Sequence, residues 1–80
     1  MENIRIVVTD DRSIIVKADT KRFGKDAIMY QDVSFMNCFD YIRRATGKNH
    51  FQIKHYSVVE PFTDSTGRTM AKFMWIEFPA

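Results

Sequence analysis

Cysteine is nearly absent. The chain has one, Cys38, so no internal disulfide can form, and a lone thiol cannot by itself build a metal site. A single unpaired cysteine points to a reducing compartment, and the expected location is cytoplasmic. Long apolar runs are also missing. No stretch approaches the roughly 18 apolar residues a membrane span needs, and MENIRIVVTDD at the N-terminus lacks the basic segment and apolar core of a secretory signal. Charge of one sign is in short supply as well: twelve Lys and Arg stand against ten Asp and Glu, a net +2, too narrow an excess for a protein that coats nucleic acid. With three glycines and two prolines there is no linker composition, and no repeat or low-complexity tract interrupts the chain. The expectation is one α+β domain spanning residues 1–80.

What is present is an ordinary globular balance, 45% apolar and 28% charged, in a chain short enough to bury only about 60% of its unfolded surface. A core that thin leaves little room for an elaborate catalytic pocket. NIRIVVT sets Ile4, Ile6 and Val8 on one parity and Arg5 and Val7 on the other; SIIVKA sets Ile14, Val16 and Ala18 against Ile15 and Lys17. A three-residue loop at positions 10–12 puts Val8 opposite Ile14 and Ile6 opposite Val16, with all the strongest apolar positions on one side. A two-residue loop would set Ile6 against Lys17.

Residues 20–31 combine a basic turn with a short apolar piece, Ile28 to Tyr30, read as a possible fifth strand. Asp32 or Ser34 caps a helix that ends at Thr46, and Gly47 supplies its left-handed stop. At 100° per residue Phe35, Cys38, Phe39, Ile42 and Ala45 form its apolar stripe. HFQIKHYSVVE and TMAKFMWIEF are the two longest strands, and the parity switch in the former predicts a bulge near His55. The order is β-β-α-β-β: an antiparallel sheet of four or five strands with one helix on one face.

One helix covers one side. The other side then collects Arg5, Lys17, Lys54, Tyr56, Phe73 and Trp75, and these six are the candidate binding residues. Exposing Phe73 and Trp75 forgoes about 1.5–3 kcal/mol each of burial, which a small domain tolerates chiefly at an interface; the alternative is that residues 19–31 or the chain ends fold over that side and make it core. Arg5 directly opposite Lys17 is a like-charge pair that favours an anion or an acidic surface nearby. The leading expectation is a non-enzymatic binding protein that engages an acidic surface of a larger protein through this basic–aromatic face, by analogy with small phage or mobile-element inhibitors of host machinery. A homo-oligomer would bury the same patch.

The same face suits single-stranded RNA or DNA, with bases on rings and phosphates on Lys and Arg, although the aromatic-rich motif and two-helix order of an RRM are missing. The weak third reading is a toxin-like ribonuclease using His50, His55 and Lys54. No cofactor, metal or catalytic residue is assigned. His50 and His55 fall on opposite faces of a strand, no CxxC or HxxxH spacing occurs, and RRATGK lacks the first Gly and the final Ser or Thr of a P-loop. Cys38, in the helix stripe, reads as a small buried residue. Asp10 and Asp11 serve a turn as well as they would a carboxylate pair.

Overall fold

The computed structural model describes residues 1–9, 11–63 and 69–79, and of 55–63 and 69–73 the backbone alone. The chain runs β1 (Glu2–Thr9), β2 (Ile14–Thr20), β3 (Gly24–Asp32), α1 (Phe35–Thr46), β4 (Gln52–Thr63) and β5 (Thr69–Glu77). All five strands join one antiparallel sheet in the order β3-β2-β1-β5-β4. This is the expected α+β layer, with five strands rather than four. Among the described residues no helix is long and apolar enough to cross a membrane.

The first hairpin has the register that the hydrophobic pattern requires: Arg5 faces Lys17, Ile6 faces Val16 and Val8 faces Ile14. Arg12 closes the loop in the left-handed region at φ 67°, the usual way a three-residue connection restores strand geometry. The Asp11 carboxylate accepts from the Thr9 hydroxyl and from the Ser13 backbone N–H, so this acid is a turn residue. Asp10 lies outside the described residues.

β3 departs most from expectation. Instead of three residues it has nine, and it extends the sheet as an edge strand beside β2. Its residues are mostly exposed or half-buried, so its sequence shows weak periodicity. Two register shifts break its pairing, and Asp26 within it sits at φ 57°.

α1 is capped as expected. The Ser34 hydroxyl accepts from the Asn37 N–H, and Gly47, at φ 70°, ends the helix with its N–H on the Arg43 carbonyl. Asp32 reinforces the start by accepting from the Val33 and Ser34 N–H groups. The helix lies over β2 and β3. Its buried residues are Cys38 and Ile42; Phe35 is 39% exposed and Ala45 is also exposed, so the stripe is narrower than the periodicity implies. Cys38 and Ile42 join Ile4, Ile6, Ile14, Val16, Ala18 and Met74 in the main core. Burial pushes the Cys38 thiol up to about 11, with Asp32 adding to the effect, which leaves it a poor nucleophile.

The bulge predicted near His55 is present as a shift between Ile53 and His55, and a second shift separates Val58 from Phe62.

Candidate functional site

On the side of the sheet away from the helix, the structure corrects the idea of an open basic face. Arg5 and Lys17 are 7% and 6% exposed, and Val7 and Ile15, the next same-face pair along the two strands, form a second buried apolar cluster. The like charges are neutralised from within. Asp26 places one carboxylate oxygen 2.6 Å from an Arg5 guanidinium nitrogen and the other 3.2 Å from Lys17 Nζ. Asp19 adds an oxygen 3.3 Å from the same guanidinium, which also donates to the Asn3 carbonyl at 2.6 Å.

These contacts shift the acids. A bond from the Asn3 side chain, the Asp26 backbone N–H and the Arg5 charge together hold the Asp19 carboxyl at about 2, against some opposition from burial. For Asp26 burial is the largest influence and raises the value, yet the bonds and charges of Arg5 and Lys17 outweigh it and the carboxyl stays below its ordinary range. The pair expected to recruit an acidic partner already has acidic partners in β2 and β3.

Trp75 is half-buried and pairs in register with Arg5, whose guanidinium stands 5.5 Å from the ring centroid. Lys54 is exposed and lies 3.5 Å from Glu77, two residues along from Trp75. The side chains of Tyr56 and Phe73 lie outside the described residues. Their backbones pair Phe73 with Val7 and Ser57, and Tyr56 with Met74, a core position of the helix side. The expected set of six is therefore not one exposed surface. Arg5, Lys17 and Trp75 belong to a packed ionic cluster, and Lys54 is in solvent.

Asp19 and Asp26 were not singled out from the sequence. Asp19 had a signal, because it shares the parity of Lys17 two residues earlier. Asp26 had none, since its placement depends on an irregular turn of the edge strand.

A second surface on the helix side was also missed. A five-stranded sheet is roughly 20 Å across at about 4.8 Å per strand spacing, whereas one helix is about 10 Å wide. Among the described residues α1 contacts β2 and β3, and toward β5 its cover thins to Met74, which is still buried in the core. There a row of aromatic rings runs from the helix to the sheet: Phe35 to Phe39 at 6.0 Å, Phe39 to Phe51 at 5.6 Å, and Phe51 to Phe78 at 6.1 Å between centroids. Arg43 lies over Phe51 at 5.2 Å and Lys48 over Phe78 at 4.8 Å. Ile53, opposite Ile76 and 44% exposed, extends the patch at the sheet edge. Each residue looks unremarkable in sequence. The row exists because Phe39 is on the flank of α1 that faces β5, and because Phe51 and Phe78 flank the paired ends of β4 and β5.

No family model, curated protein or solved structure matches this chain.

Proposed function

We propose that this chain is a non-enzymatic protein-binding module whose contact surface is the phenylalanine row on the helix side, with an acidic segment of a larger protein as its partner. The observation that carries the reading is the row itself: partly exposed rings in mutual contact, overlaid by the cations of Arg43 and Lys48, beside the strands over which α1 lies. Aromatic anchors beside positive charge are the usual energetic centre of such an interface. The sheet's other face is less suited to contact, because Arg5 and Lys17 are buried and already paired.

The test is affinity capture from the native host extract after nuclease treatment, using the wild-type chain, Ile53→Asp and Lys48→Glu. Both positions are exposed, so neither change should lower the melting temperature appreciably. A defined protein retained by the wild type and lost with both variants is the expected result. Recovery only with intact nucleic acid, equal recovery by the variants, or a self-associated dimer in light scattering that Ile53→Asp dissociates would each overturn the reading.

A further inference from the structure

On the opposite flank of α1, toward the β3 edge, Asn37, Tyr41 and Arg44 recur at helical spacing and, with Tyr30 of β3, line a cleft of about 290 Å³. That is near the lower end of the roughly 300–1,000 Å³ typical of small-molecule sites, which suits one chemical group better than a large ligand. The rings of Tyr30 and Tyr41 stack at 4.8 Å with planes only 6° apart, so one wall is flat and rigid.

The polar groups divide into those already used and those available. Asp32 is fully engaged: it accepts from the Tyr30 hydroxyl at 2.8 Å, from Asn37 Nδ2 at 3.1 Å, and from two backbone N–H groups at the start of α1. These bonds, the Tyr30 hydroxyl first, hold its carboxyl below the ordinary range, and the same bond pushes the Tyr30 phenol up. Neither group is offered to a ligand. Arg44 differs from its neighbour Arg43, which is held by Asp40 at 3.0 Å and by the Asn49 carbonyl. Among the described residues Arg44 makes no ion pair, and the Tyr41 hydroxyl makes no hydrogen bond. The cleft thus has one unused guanidinium, one unused hydroxyl, and no unsatisfied acid to compete for them.

We propose that this cleft is a binding site for a small oxyanion, the carboxylate or phosphate group of a ligand, with Arg44 as its charge partner and the Tyr41 hydroxyl as its second donor. A guanidinium matches either anion through two parallel N–H bonds, and the rigid tyrosine wall fixes the direction of the second. The site is independent of the phenylalanine row, which lies on the other flank of the helix.

The experiment is amide and side-chain NMR of the full chain titrated separately with sodium phosphate and sodium acetate at constant ionic strength. Shifts at Tyr30, Asn37, Tyr41 and Arg44 should saturate with a dissociation constant on the order of 1–10 mM for at least one of the two, and whichever saturates identifies the anion. Arg44→Gln should weaken binding at least tenfold and Tyr41→Phe several-fold, while Lys25→Gln, on the exposed start of β3, leaves it unchanged. Arg44 is exposed, so its variant remains folded and the comparison stays valid. Non-saturating shifts spread over all basic residues, or saturation unaffected by Arg44→Gln, would overturn the proposal.

Discussion

Removing one negative charge from an exposed carboxylate should destabilise this protein more than surface charges usually do, because the cations it serves are buried. Asp26 is 58% exposed at its side chain, whereas those of Arg5 and Lys17 are each 8% exposed. An exposed ion pair contributes about 0–1 kcal/mol, and losing one partner of a fully buried pair costs about 3–5 kcal/mol. Asp26→Asn lies between these limits. Arg5 retains Asp19 at 3.3 Å and the Asn3 carbonyl, and solvent reaches the Asp26 position, so the expected cost is about 1–2 kcal/mol. For a domain this size that is a fall in melting temperature of roughly 4–16 °C. Asparagine is the informative substitution, since it tolerates the φ of 57° as aspartate does and isolates the charge from backbone strain.

Urea denaturation measures the effect, with the midpoint expected to fall and the slope to stay constant. The loss should shrink but not vanish in 1 M salt, because Asp26 is exposed to screening while Arg5 and Lys17 are buried. Adding Arg5→Met and Lys17→Met to Asp26→Asn should recover much of the stability, since apolar side chains need no counter-charge. An Asp26→Asn variant as stable as the wild type, or a triple variant less stable than the single one, would refute the account of this face.

Two further outcomes follow from burial and charge. Ile6→Ala and Val16→Ala remove methyl groups from fully buried positions and should each cost on the order of 1–4 kcal/mol in the same denaturation assay; near-neutral values would show that the helix-side core is misplaced. Acid should destabilise the fold in a defined window. The Asp19 carboxyl moves from an ordinary 3.8 to about 2 on folding, and Asp26 and Asp32 shift the same way. Lowered folded values mean that the unfolded chain takes up protons first, so the stabilisation is complete above the unfolded value and is lost as pH falls through the folded one. Stability should therefore be level from pH 7 to 5 and drop between about pH 4 and 2, less steeply in Asp26→Asn; no drop in that window would contradict the carboxylate contacts.

The parts of the fold legible in sequence were those with a strict period and one buried side. The β1–β2 register could be read because a shift of one residue would turn Ile6 and Val16 out of the core. The helix ends could be read because Ser34 and Gly47 satisfy backbone groups that little else can. β3 was underestimated for the converse reason: an edge strand with irregular pairing need not alternate. The error in the site began there. With β3 reduced to three residues, Asp26 had no place facing Arg5 and Lys17 and the parity of Asp19 went unused, so two paired cations looked like an unpaired binding surface. Periodicity locates a side chain on a face; it does not reveal that an irregular residue such as Asp26 reaches back across it.

The two faces of the sheet are consequently covered by different means, and this decides where a partner has room. On the far side, Val7 and Ile15 are buried, and beside them the buried cations of Arg5 and Lys17 are held by acids from β2 and β3, so insertion of a partner there would first have to break these ion pairs. On the helix side, the buried core is concentrated beneath α1, where Cys38 and Ile42 meet Ile14, Val16 and Ala18. Phe39, Phe51 and Phe78 of the row pack against the margin of that core while staying partly exposed, and their neighbours Ile53 and Lys48 are exposed. A partner docking on the row adds cover to rings that are only partly enclosed and requires no buried charge to be uncovered. If the row is the contact surface proposed above, Ile53 and Lys48 are the positions at which binding can be changed without disturbing the core, whereas Arg5 and Lys17 offer none.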